Sequence, residues 1–216
     1  MSRSRKSKHD SQMDFGKRVT AVYGLNLALS YENAAVERLE HRVSQCIVPQ
    51  VKKNLERHLK QTREQQERLK ERILALATGS PEVAAPTTER GRLPVPEPPR
   101  SFREMMDKVG TEREMEVWEA VNDLIVEKAE AVMYRAGIQA LEMLGADRKT
   151  INALKKSLQE EEAFARWLEK NNPRIAKKLM RDQMREGKKK RIAEVEAAGT
   201  EGEGEAAAAD TTVAAA

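Results

Sequence analysis

The chain is poor in aromatic residues, which make up 4% of it, and it has a single cysteine, Cys46. One cysteine excludes an internal disulfide and a zinc site built from paired cysteines. Few aromatic residues together with 34% charged residues favour long solvated helices over a β-sandwich. There is no run of about 18 apolar residues, and the N-terminal segment MSRSRKSKHD lacks the apolar stretch of a secretory signal. These absences predict a cytoplasmic, largely helical protein with no membrane association.

The positive charge of the chain is concentrated near its two ends. Residues 1–16 predict a basic, disordered arm, and residues 174–191 hold nine basic and two acidic residues, a net charge of +7. Residues 193–216 are acidic and rich in Ala and Gly, which predicts a disordered tail. Basic appendages are typical of segments that contact polyanions. The alternative is that they only keep the protein soluble.

Four stretches in which apolar residues recur every three or four positions predict four long helices. Their predicted ranges are 17–47, 50–77, 111–144 and 147–171. Six prolines between 78 and 110 predict a long, extended crossover between the second and third helices. Asn171-Asn172-Pro173 is expected to end the fourth helix, leaving 172–192 as a separate basic helix. The predicted fold is therefore an all-α, up-down four-helix bundle whose core spans 17–171.

The core stripe of three predicted helices is interrupted by a glutamate near its middle. These residues are Glu32, Glu127 and Glu161, and Glu130 follows Glu127 on the third helix. A carboxylate on a core stripe must be neutralised by a proton, a cation or a metal. Ferritin-like bundles use converging core carboxylates to hold two iron or manganese ions. The pattern therefore indicates a buried carboxylate site in a ferritin-like bundle.

The same helices resemble the ferritin-like family of YciE/YciF stress-associated proteins, in particular its archaeal-type members. The similar segments are 31–39 (YENAAVERL), 58–62 (HLKQT), 65–69 (QQERL), Glu127-x-x-Glu130 with Tyr134, and 158–163 (LQEEEA) with Trp167 and Asn171-x-Pro173. The resemblance covers 20–76 and 112–180. It implies a four-helix bundle, often a homodimer, with a di-metal site. The metal ligands of the family, carried over residue by residue, fall on Glu32, Glu127, Glu130 and one of Glu160 or Glu161.

The second helix departs from this family pattern. Lys60-Gln61-Thr62-Arg63 stands where the family has Glu-x-x-His, and the fourth helix has no histidine near Glu161. Protonated lysine and arginine cannot be metal ligands. We therefore expect Lys60 and Arg63 to neutralise the glutamates in place of a metal, so that no cofactor binds. A residual single-metal site and a working site for two iron or manganese ions are the alternatives.

The remaining candidate residues predict little further chemistry. His58 is expected on the surface of the second helix and Cys46 in the core, and the sequence has no GxGxxG, Walker, HExxH or GxSxG motif.

The basic residues expected to contact phosphates are Lys177, Lys178, Arg181, Arg185, Lys188, Lys189, Lys190 and Arg191.

Three functions follow from these observations. The first is a non-catalytic stress-associated or scaffold protein that acts as a homodimer. The second is a protein that associates with nucleic acid or the ribosome through its basic tails. The third is a metal-dependent oxidase or iron-handling protein. The sequence favours the first, without turnover.

Overall fold

The fold is an all-α, ferritin-like four-helix bundle. The computed structural model describes residues 13–78, 84–95, 100–101, 104–105 and 110–209, with side chains only as far as 195. Its long helices are α1 (Phe15–Gln45), α2 (Pro49–Ala77), α3 (Glu112–Leu144) and α4 (Arg148–Ala209). α1 packs mainly on α2 and α3 mainly on α4, each pair joined by a short turn. No helix among the described residues is both long and apolar enough to cross a membrane.

Local sequence signals set most of the helix ends. Asp14 accepts a hydrogen bond from an amide of the first turn of α1, and Pro49 occupies the first turn of α2, where a missing N–H costs nothing. Thr111 and Glu114 form a reciprocal capping box at the start of α3, and Gly145 ends that helix in the left-handed region with φ of 79°. The first three helices consequently lie within two residues of their predicted ranges. Residues 1–12 of the predicted basic arm are outside the described part.

The fourth helix corrects the prediction that it stops at Asn171–Pro173, because α4 continues without a break to Ala209. A proline inside a helix costs about 3 kcal/mol, since it removes one hydrogen bond and crowds the preceding turn. Contacts beyond the proline offset this cost. Leu179 is buried, and Arg113 of α3 pairs with Glu186 at 2.6 Å. Tertiary contacts thus override the local stop signal.

Because α4 continues past Pro173, two further predicted ranges are corrected. The predicted separate helix over 172–192 is part of α4, and the predicted disordered tail is helical from 193 to 209. Alanine and glutamate, which dominate this part of the chain, are good helix formers. Residues 210–216 are outside the described part.

The described part of the crossover lies against α1. Residues 84–95 are not helical, and the Gly91 amide donates to the Ser30 carbonyl oxygen at 2.7 Å. The Asn33 side chain donates to the Glu89 carbonyl oxygen at 2.8 Å. The segment between the two helix pairs is therefore anchored, and most other residues of the predicted crossover 78–110 are outside the described ones.

Two apolar clusters fill the bundle and leave a polar layer between them. One cluster joins the first half of α1 to the last part of α2, and includes Leu25, Leu29, Leu69, Ile73, Tyr134 and Ile138. The other joins the opposite ends of the same helices, and includes Leu39, Leu55, Leu59, Phe164 and Leu168. Each helix passes from one cluster to the other, so the middle of each helix contributes to the polar layer.

Candidate metal centre

The polar layer contains four carboxylates and one histidine that converge from all four helices. Each is at most 3% exposed. This carboxylate–histidine cluster consists of Glu32 from α1, His58 from α2, Glu127 and Glu130 from α3, and Glu161 from α4. The apolar clusters on both sides keep bulk water away from these charges. Every electrostatic interaction within the layer is consequently stronger than it would be at the surface.

Three members of the cluster approach each other closely enough to share one ion. His58 Nε2 lies 2.8 Å from a Glu127 oxygen and 3.3 Å from a Glu161 oxygen. One ligand atom from each of these three residues lies within 4.8 Å of the other two. Imidazole nitrogen and carboxylate oxygen are ligands that suit iron and manganese. This corner of the cluster therefore has the donors and the dimensions of a metal site.

Neighbouring side chains orient the cluster. The Gln65 amide donates to Glu161, and the Tyr134 hydroxyl donates to Glu32. The ring of Phe164 stacks on the His58 imidazole with centroids 4.2 Å apart. These contacts hold the donor atoms in fixed positions before any ion binds, which is what a metal site requires.

Burial changes the protonation of the cluster. It raises the pKa of Glu32 and of Glu130 well above the usual carboxyl range, and the neighbouring Glu161 raises both further. Burial also raises the pKa of Glu127 to about 8, against the opposing effect of His58. Burial lowers the pKa of His58, but Glu127 and Glu161 raise it more, so the net shift is upwards. Burial raises the pKa of Glu161, but His58 outweighs it and leaves that pKa lowered.

A bound cation would neutralise the negative charge of the carboxyl groups that lie close together in the cluster. One carboxyl oxygen of Glu127 lies within 4.8 Å of one of Glu161, and the pKa of Glu127, raised to about 8, means that Glu127 holds a proton at neutral pH. Within the described part of the chain, the protonated imidazole of His58 is the positive charge that contacts both carboxyl groups. A metal ion in the same place would displace that proton and neutralise both oxygens at once.

The expectation that Lys60 and Arg63 neutralise the glutamates is wrong. Both side chains are exposed, and Arg63 pairs with Glu40 of α1 at 2.7 Å. The physical reason is the rotation of α2, whose inward positions are His58, Thr62 and Gln65. Positions 60 and 63 consequently face outwards.

His58 is the member of the cluster that sequence reasoning missed, since it was expected on the helix surface. It is 1% exposed. The signal was present in the spacing of positions 58, 62, 65 and 69, which lie on one face of a helix. Of the alternative fourth-helix ligands, the structure brings Glu161 into the cluster. Glu160 lies beside it and pairs with Arg68 instead.

A second buried group of charges lies between α1 and α3, near the turn that joins α1 to α2. Arg42 donates to Asp123 at 3.1 Å and to Glu116 at 3.2 Å, and Arg38 pairs with Asp123 at 2.6 Å. The Cys46 thiol donates to Glu116 at 3.3 Å, and burial raises the pKa of that thiol to about 11. Cys46 is buried as expected and is not a thiolate nucleophile. This group acts as a paired structural network.

The basic residues predicted to meet phosphates are all exposed along α4. They are Lys177, Lys178, Arg181, Arg185, Lys188, Lys189, Lys190 and Arg191. The structure therefore places them on an accessible helix surface, apart from the carboxylate–histidine cluster.

Fold and cluster together define a ferritin-like four-helix bundle with an inward carboxylate–histidine layer. The family described as "Domain of unknown function (DUF892)" matches residues 22–93, which include Glu32 and His58. No curated protein matches the chain.

Two similar solved structures support the fold. A protein from Xanthomonas campestris pv. campestris is 20% identical with a TM-score of 0.60, and the match covers 78% of this chain and 99% of that one. YcfI from Rhodopseudomonas palustris, described as a candidate structural protein, is 20% identical with a TM-score of 0.53, covering 77% and 96%. At this identity the likeness shows the shared fold alone.

Proposed function

We propose that this protein is a non-catalytic, ferritin-like scaffold whose bundle is tied together by one divalent cation, iron or manganese, bound by His58, Glu127 and Glu161. The supporting observation is the approach of their three ligand atoms to within 4.8 Å of one another in a buried layer. A bound ion would supply the positive charge that allows the carboxyl groups to lose their protons. It would also link α2, α3 and α4 through one centre.

The donor set supports one ion rather than the two of a ferritin-type oxidase. Such a centre takes a Glu-x-x-His pair from each of two helices. The inward positions of α2 are His58, Thr62 and Gln65, with no carboxylate among them. On α4, Ala163, Phe164 and Ala165 follow the acidic residues where a histidine would stand. We therefore favour a structural ion, in a protein of the stress-associated YciE/YciF type that the helix segments resemble.

Metal binding is tested by titrating Mn²⁺ into protein stripped with EDTA and dialysed, and by metal analysis of protein purified without chelator. We expect about one ion per chain, and an affinity at least about 10- to 100-fold lower for His58→Gln, since losing a direct ligand costs at least as much as losing its supporting partners. His41→Gln is the matched control, because His41 is an exposed histidine of α1.

Three results would change this view. Unchanged affinity in His58→Gln, with the helix content of the wild type, would remove the proposed ligand. An equal loss in His41→Gln would mean that surface histidines bind the metal. Two ions per chain would support the oxidase alternative.

A second function, association with nucleic acid or the ribosome, is supported by the eight exposed basic residues of α4. Replacing Lys188, Lys189, Lys190 and Arg191 with glutamine should weaken binding to duplex DNA or an rRNA fragment at about 100 mM salt and should flatten the salt dependence. Fluorescence anisotropy measures both. The matched control removes four exposed charges from α2, at Lys53, Arg57, Lys60 and Arg63. Equal weakening by both sets would mean that net charge matters rather than the α4 surface.

The homodimer also stays a prediction.

A further inference from the structure

A largely apolar cavity of about 430 Å³ lies between α1 and α3, beside the carboxylate–histidine cluster. Its volume falls within the range of about 300–1,000 Å³ that is typical of small-molecule sites. Apolar and small residues of both helices line most of it, among them Ala21, Gly24, Ala28, Met133, Gly137 and Leu141.

The cavity exists because small residues face each other across the two helices. A Cβ built on Gly24 would meet no atom within 4 Å, so the space beside this glycine is not filled by another described residue. Tyr23 and Leu27 form the outer rim of the cavity, where they are 71% and 47% exposed. Apolar surface that remains uncovered in this way is a feature of ligand sites.

The inner end of the cavity is polar and acidic. Glu32 and Glu130 line it, and they are only 2% and 3% exposed. Glu32 accepts a hydrogen bond from the Tyr134 hydroxyl. One Glu130 oxygen, Oε1, has no hydrogen-bond partner within the described part of the chain, although leaving such an atom unsatisfied costs free energy. A ligand that donates a hydrogen bond to this atom would remove that cost.

We propose that the cavity binds a small, elongated, apolar molecule whose head group donates a hydrogen bond to Glu130, as an amine or an alcohol does. The apolar lining takes the hydrocarbon body, and the two glutamates select the head group. A carboxylate head would bring no donor for Glu130 Oε1, and burying its negative charge in this layer would be costly. This site is separate from the proposed metal ligands, and its occupation does not require the metal.

The proposal is tested with N-phenyl-1-naphthylamine, a neutral amine whose fluorescence rises in apolar surroundings, on EDTA-stripped full-length protein. Decylamine, decanol and decanoate then compete with it below their micelle-forming concentrations. We expect decylamine and decanol to displace the probe at concentrations at least tenfold lower than decanoate. The order of decylamine and decanol distinguishes an amine ligand from an alcohol. Equal displacement by decanoate would overturn the proposed role of the glutamates.

Gly24→Leu locates the site, because the leucine side chain would occupy the space beside Gly24. We expect it to weaken probe binding at least tenfold. Gly187→Leu is the matched control, since a Cβ on this exposed glycine of α4 also meets no atom within 4 Å. Unchanged binding in Gly24→Leu, or an equal loss in Gly187→Leu, would overturn the proposal. Both variants should bind Mn²⁺ as the wild type does, so this test and the test of the metal centre fail independently.

Discussion

Arg42→Ala should lower the free energy of unfolding by about 3–5 kcal/mol, the range for removing one partner of a buried ion pair. The Arg42 side chain is 3% exposed and joins Asp123 to Glu116. Its removal leaves two buried acids with too few partners. Arg38 still pairs with Asp123, so we expect Glu116 to carry most of the loss. Urea denaturation at pH 7, followed by the circular dichroism of the helices, measures the change.

Arg63→Ala provides the matched control on the surface. The Arg63 side chain is 56% exposed and its partner Glu40 is 52% exposed, and such pairs contribute less than about 1 kcal/mol. The sequence alone predicted the large loss for Arg63→Ala, because it placed Arg63 among the buried glutamates. Similar losses in the two variants would contradict the assignment of Arg42 as the buried arginine.

The sequence predicted the inward carboxylates of α1, α3 and α4 because each interrupts a continuous apolar stripe. On α2 the stripe is polar in its middle, where Thr62 and Gln65 are inward. A helical stripe spans at least about 100°, so apolar residues at the two ends of α2 did not determine the rotation between them. Reading the inward stripe of α2 one position too far along the chain was enough to predict Arg63, rather than His58, as the neighbour of the glutamates.

Two other features depend on contacts between residues far apart in the chain. The Arg42 network joins residues separated by 74 and 81 positions, and no local pattern pairs them. Likewise, the local signal at Pro173 predicted a helix end, whereas Leu179 and the Arg113–Glu186 pair hold the continuing helix against α3. The helix ends at Thr111 and Gly145 could be predicted because capping residues act locally.

Metal-free protein should lose stability as the pH rises from about 5.5 to 8.5. The folded state raises the pKa of Glu32, Glu130 and Glu127, the last to about 8. It therefore holds protons that the unfolded chain releases above its ordinary carboxyl pKa, and stability falls with pH wherever the folded state binds more protons. His58 acts in the same direction above pH 6.5, because its pKa is also raised. Glu161, whose pKa is lowered, acts oppositely but only below the usual carboxyl pKa.

The slope of this loss identifies the cluster as its source. Each group with a raised pKa contributes up to about 1.4 kcal/mol per pH unit inside its titration range. Urea denaturation with EDTA at half-unit pH steps measures the slope. Glu130→Gln should make it shallower, because the amide does not titrate, whereas Glu67→Gln on the exposed face of α2 should leave it unchanged. Excess Mn²⁺ should offset the decline at high pH, since its affinity increases as the ligands lose their protons. A flat profile in EDTA would mean that water reaches the glutamates. A decline that Mn²⁺ does not offset would mean that protons alone neutralise them.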